Sequence, residues 1–136
     1  LSRFLSRQPG KRLMPFEGLH LLYALAKGVE PIHHAREYHG DLHNENVIIR
    51  RRGISFDVKL VDMFNWGTAD AKSIREDVFD LIRIFYDALG GARLYSKHLP
   101  QVKQIFCGLK RSFIASKFRT AGDLRSHLAT MDWEDH

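Results

Sequence analysis

Apolar residues recur with helical spacing downstream of Pro15. Leu19, Leu22, Tyr23 and Ala26 fall at i, i+3, i+4 and i+7, and Leu25, Val29, Ile32 and His33 extend the stripe. This spacing predicts an amphipathic helix of about six turns over residues 16 to 37, with Pro15 at its first position and Pro31 a place for a kink. Before it, residues 2 to 8 read as a short helix ending in a turn at Pro9-Gly10. The period then changes. Val47-Ile48-Ile49-Arg50 and Val58-Lys59-Leu60-Val61 are β-branched runs bounded by polar turn residues that include Gly53, which predicts a hairpin centred on Ile54. That register sets residue 47 opposite 61 and Asn46 opposite Asp62. Further on, Ser73 with Glu76 three residues later reads as a capping box, opening a helix that runs to Leu89 and stops at Gly90-Gly91. Ile74, Val78, Phe79, Leu81, Ile82, Ile84, Phe85, Ala88 and Leu89 cover nearly its whole circumference, the pattern of a buried helix. Val102, Ile105, Phe106 and Leu109 mark another helix, and Thr120 caps one through Leu124 and Leu128. The expected fold is mainly α (α+β): helices around a buried central helix, with one short β-hairpin, in a single domain.

Composition narrows the class. At 136 residues, 44% hydrophobic and 27% charged, the chain can bury a core of its own. No run approaches the length of a membrane span, and the N-terminus lacks a signal-peptide core. A lone cysteine, Cys107, fits a packed thiol in a reducing, cytoplasmic setting. The net charge of +5 is spread over helices without interleaved aromatics, so nucleic acid is not the expected partner. Arg50-Arg51-Arg52 is the one basic run, read as solvated charge at the hairpin tip. Because the chain begins with Leu1, it is expected to be a piece of a longer product.

The candidate chemistry lies in His39-Gly40-Asp41-Leu42-His43-Asn44-Glu45-Asn46, a polar connection between the long helix and the hairpin. The expected register adds Asp62 to Asn46, with Asp41 upstream. A carboxamide and two carboxylates form an oxygen-rich set that suits Mg²⁺. A rival reading takes His39, Asp41 and His43 as Zn²⁺ ligands, since alternate residues of an extended segment share one side; it lacks a second group of ligands. His33 and His34 point about 100° apart on a helix, so one is expected in the core and one on the surface. Asp77 and Asp80 sit on the buried helix and need donors.

These residues resemble the protein-kinase-like fold. His39-Gly40-Asp41-Leu42-x-x-x-Asn46, a hairpin and then Asp62-Met63-Phe64 are similar to its catalytic loop and metal-binding Asp, H-R-D-L-x-x-x-N and D-F-G. The H-G-D-L-H form is closer to bacterial kinase-like enzymes and aminoglycoside-phosphotransferase relatives. The resemblance implies the large, C-terminal lobe of an ATP- and Mg²⁺-dependent phosphotransferase acting on a hydroxyl acceptor. It also implies a small lobe on the same or another chain. Asp41 would be catalytic, Asn46 and Asp62 would hold Mg²⁺ on the nucleotide, and His43 would stand near the transferred phosphoryl. His39 and Asp77 would support the loop, Asp77 by accepting backbone hydrogen bonds from it. The sequence departs from the pattern in several places. Gly40 replaces an arginine, Met63-Phe64 replaces Phe-Gly, and the spacing from Asp62 to Asp77 is too short for a long activation segment. Within these 136 residues there is no Gly-rich phosphate loop and no V-A-I-K-type lysine. A lobe without its partner would expose an apolar interface and could self-associate through it. The alternative reading is a non-catalytic kinase-like module used for binding or scaffolding.

Overall fold

The computed structural model describes residues 1–61, 70–98 and 100–131. Its helices are α1 (Ser2–Ser6), α2 (Pro15–His34), α3 (Ala71–Ala88), α4 (Pro100–Phe106), α5 (Arg111–Lys117) and α6 (Ala121–Thr130), and β1 (Val47–Arg52) and β2 (Ser55–Leu60) form one antiparallel hairpin between α2 and α3. The protein is therefore mainly helical with a two-stranded sheet, an architecture consistent with a helical kinase large lobe.

α2 begins at Pro15, where a missing N–H leaves no bond unmade. It runs through Pro31 to His34 and buries Leu19, Leu21, Leu22, Leu25, Ala26, Val29 and His33. α3 packs beside it with Val78, Leu81, Ile82 and Phe85 fully or almost fully buried. An exposed stripe through Arg75, Arg83 and Asp87 keeps α3 from being enclosed all round. Phe106 of α4 closes one end of the core, with ring centroids 5.2 Å from Phe85, 5.3 Å from Tyr86 and 5.7 Å from Tyr95. Leu124 and Leu128 of α6 close the other.

The structure corrects several sequence expectations. α3 starts before Ser73: Asp70 is its N-cap, accepting from both Ser73 N and Ser73 Oγ at 2.8 Å. Those bonds hold the Asp70 carboxyl below the usual carboxylate range, and Ser73 lies inside the first turn. α5 was not expected, because Ile114 is its one buried residue and a single apolar position shows no period. Arg50, Arg51 and Arg52 are exposed as expected, but Arg51 is also engaged with neighbouring elements. Its guanidinium sits 5.4 Å from the Phe4 ring centroid and 5.3 Å from that of Phe56, and it pairs with Glu17 at 2.6 Å. The hairpin is thereby fastened to α1 and α2.

The register also differs by one residue. Val47 pairs with Leu60 and Arg52 with Ser55, so the centre falls between Gly53 and Ile54. The cause is the turn: a two-residue loop with Gly53 at φ 63, the positive φ that tight hairpin turns require. Asn46 therefore meets Val61, whose N–H donates to the Asn46 carbonyl at 3.0 Å, and not Asp62.

Two glycines of α2 give opposite expectations. A methyl at Gly18 would overlap the Leu89 side chain and lie 3.2 Å from Phe85 Cε1, in a part of the core where neither side chain is exposed. Gly28 is exposed, and a methyl there would only touch Leu60 Cδ1 at 4.0 Å. In denaturant titrations Gly18→Ala should lose about 1–2 kcal/mol, overpacking outweighing the helix preference for Ala. Gly28→Ala should gain about 0.5–1 kcal/mol. Equal effects at the two sites would contradict this packing.

Candidate functional site

The loop from His39 to Asn46 is held from below by one carboxylate. Asp77, in the second turn of α3, is fully buried. Its Oδ2 accepts from His39 N at 2.7 Å and faces His33 Nε2 at 3.0 Å, and its Oδ1 accepts from Gly40 N at 2.9 Å. Three donors around one buried carboxylate are what its burial demands. Gly40 sits at φ 86, a backbone region that glycine enters without strain. That conformation gives a local reason for glycine at this position.

His39 points inward and is almost wholly buried. Its Nδ1 accepts from Asp41 N at 3.2 Å, so Nε2 carries the proton it gives to the Val61 carbonyl at 2.9 Å. With both ring nitrogens taken, His39 has no lone pair for a metal, which removes the Zn²⁺ reading. No group of three or more His, Cys, Asp or Glu suited to a metal occurs among the described residues.

The loop's other half faces outward. Asn46 is buried, and its Nδ2 donates to the Asp41 carbonyl at 2.8 Å and to Asp41 Oδ2 at 3.0 Å. Both amide hydrogens are thus engaged, leaving Oδ1 as the atom a cation could use. The Asp41 side chain is 45% exposed, with its Oδ1 3.6 Å from His43 Nε2. His43 caps the short turn Asn44–Asn46, its Nδ1 accepting from Glu45 N at 3.1 Å. The structure therefore brings the half-exposed Asp41 and His43 together with the buried Asn46, and places His39 and Asp77 beneath them. Asp62 and the following Met63–Gly67 segment lie outside the described residues.

Two clefts flank the loop. One of about 700 Å³ lies along β1, between Phe4, Val47, Ile48 and Ile49, with Glu45 at its edge. Ile48 is 54% exposed there. The other, of about 240 Å³, lies between His43, Glu45 and the α3 residues Asp80, Arg83 and Asp87. Burial, reinforced by the Asp77 and Glu76 charges and opposed by Arg111, raises Asp80 from the ordinary 3.8 to about 7.

His33 was read from sequence only as a candidate core residue. The structure shows it bonded to residues 44 and 88 positions away, a separation that no local pattern reveals.

Over 104 residues, 73% of this chain, the sequence is 34% identical to the cyclin-dependent kinase 15 of mouse and, equally, to that of human. The matched stretch spans 22% of the length of each relative. No family model and no solved structure matches the chain. The similarity, together with the helical architecture, supports a kinase-like fold.

Two outcomes follow. Asp77→Ala leaves the His39 and Gly40 amides without an acceptor and should cost about 1–3 kcal/mol; a thermal shift equal to that of an exposed Asp→Ala control would refute the support role. Asp80 gives a pH dependence. Its carboxyl stays protonated in the fold up to about pH 7 but in the unfolded chain only below the ordinary 3.8, so its contribution to stability falls as pH rises through that window. Asp80→Asn should therefore melt above the wild type at pH 8, with the gap closing by pH 4. A gap constant with pH would contradict the raised carboxyl.

Proposed function

We propose that this chain is the large-lobe part of an ATP- and Mg²⁺-dependent phosphotransferase that moves the γ-phosphate to a hydroxyl. The observation that carries the reading is the Asn46 clasp on Asp41, Nδ2 bonded to both its carbonyl and its carboxylate. This clasp fixes an exposed carboxylate beside an amide oxygen at the mouth of the loop. Asp41 orients the attacking hydroxyl and accepts its proton. Asn46 Oδ1 and Asp62 are the oxygens that would hold Mg²⁺, a hard cation that takes one or two protein ligands with substrate phosphates. When bound, Mg²⁺ neutralises charge on the phosphates, and such transfer depends mainly on positioning and electrostatics. His43, directed at Asp41, stands on the phosphoryl side. The cleft along β1, with Ile48 on its surface, is the floor on which the nucleotide rests.

The H-G-D-L-H pattern favours the bacterial kinase-like type within this reading. A cytoplasmic setting fits the single thiol. No helix among the described residues is long and apolar enough to cross a membrane. The acceptor carries a hydroxyl, on a protein side chain or a small molecule. The small lobe, on the same or another chain, would cover the β1 cleft, and without it that face is a candidate for self-association. Retention of Asp41, Asn46 and Asp62 favours the enzyme over a non-catalytic binding or scaffolding module.

On this reading residues 1–136 alone bind ATP weakly and turn it over at or near background, because the sequence holds no Gly-rich phosphate loop and no V-A-I-K-type lysine. Loss of one charged contact in such reactions can cost about 10³ in rate. Calorimetric ATP titration and a hydrolysis assay check this, with Asp62→Ala as control. A paramagnetic arm tests the metal role: Mn²⁺ with ATP should broaden the Asn46 carboxamide signals, and less so in Asp62→Ala. Micromolar affinity or turnover abolished by Asp62→Ala would show that the floor suffices. No Mn²⁺ effect at Asn46 would favour the non-catalytic module.

A further inference from the structure

Among the described residues the large apolar side chains left exposed are Met14, Phe16, Ile48, Ile54 and Phe113. Three of these share one end of the molecule. Leu60 of β2 lies beside Gly28 of α2, and Arg51 of β1 pairs with Glu17 in the first turn of α2. Those two contacts lay the hairpin along α2 with its turn level with the helix start. Ile54, in the turn, is 70% exposed. A methyl on the adjoining Gly53 would meet nothing within 4 Å, so the tip stands clear of the fold. Met14 and Phe16 flank Pro15, the first residue of α2.

The same end is basic. The register puts Arg50, Arg52 and Asp57 on the hairpin face opposite Arg51 and the buried Phe56. The Arg50 and Arg52 side chains are 82% and 76% exposed, and both lie 3.4 Å from the one Asp57 carboxylate. Lys11 is exposed, and Arg12 Nη1 lies 3.6 Å from Met14 Sδ. Over residues 9–17 and 50–57, five basic side chains stand against two acidic ones, Glu17 and Asp57.

We propose that this end docks on an anionic lipid bilayer. Ile54, Met14 and Phe16 enter the headgroup boundary, and Lys11, Arg12, Arg50 and Arg52 hold the headgroup charge. The apolar groups project from a turn tip and a helix start, so one plane can meet them together. A peptide partner would need a groove or a strand edge to hold it, and Ile54 stands in neither. Binding of this kind lies on the surface and needs no spanning helix. It does not depend on the phosphotransferase reading.

The test is co-sedimentation of residues 1–136 with vesicles of phosphatidylcholine, alone or mixed with phosphatidylserine. The protein should pellet with the mixed vesicles at low salt and be released as salt rises. Ile54→Asp removes an inserting group and adds a repelled charge, and should weaken binding about tenfold. Arg50→Glu combined with Arg52→Glu should weaken it at least as much. Phe113→Asp is the control: it lies on α5, whose Arg111 pairs with Glu76 near the start of α3, and should bind like the wild type. All these positions are exposed, and thermal melts check that each variant folds. Equal pelleting with pure phosphatidylcholine overturns the proposal. So does a loss in Phe113→Asp as large as that in Ile54→Asp, or no pelleting with the mixed vesicles at low salt. Binding of poly-glutamate without binding of the vesicles would assign the surface to an acidic protein and overturn it as well.

Discussion

The site depends on the burial of one carboxylate. Asp77 has no exposed surface, and an ionised carboxyl in that position is tolerable only when its oxygens are satisfied. The fold meets this demand with two backbone amides of the loop and one imidazole. The packing of α3 and the shape of the loop are therefore one problem. Val78, Leu81, Ile82 and Phe85 fix where α3 lies, α3 fixes Asp77, and Asp77 fixes the backbone at His39 and Gly40. Asp41 comes next in the chain, so its direction follows from a core that it does not touch.

The same arrangement gathers negative charge. Asp77, Glu76 and Asp41 all act on Asp80, and Arg111 only partly offsets them. Arg111 is also engaged with Glu76 at 3.3 Å and lies 4.1 Å from the Phe79 ring centroid. Asp77 has three donors around its oxygens. Among the described residues Asp80 has no comparable set of bonds, and burial raises it. Two carboxylates three residues apart on one helix thus have different surroundings, one ringed by donors and the other buried beside like charges.

Much of this was legible in the sequence. The α2 stripe, the two β-branched runs, the apolar α3 and the Thr120 cap all follow from period and cap chemistry, and the structure places them there. The polar loop stood out because so many ligand-bearing residues follow one another. What could not be read was long-range or dictated by turn geometry. Nothing local marks His33 as the acceptor for an amide 88 positions away. Arg51 looked like a member of a charged run, because its aromatic partners Phe4 and Phe56 come from separate elements. The extra helix α5 has too few buried positions to show a period.

The hairpin register is the most instructive of these differences, because side chains alternate along a strand and one residue of slip exchanges its two faces. Centring on Ile54 was reasonable from the runs alone, but the turn follows Gly53. The loop then enforces the choice. Val61 donates its N–H to the Asn46 carbonyl and accepts at its own carbonyl from His39 Nε2, so both of its backbone polar groups are taken by the two ends of the His39–Asn46 segment. A slip of one residue would remove both bonds at once. It would also turn Val47, 1% exposed, toward solvent and Ile48, 54% exposed, toward the core. The register is therefore held twice, by the turn at one end of the hairpin and by the loop at the other. Val61 is the residue before Asp62, so the hydrogen bonds that close the loop also set the point from which the chain reaches its remaining candidate ligand.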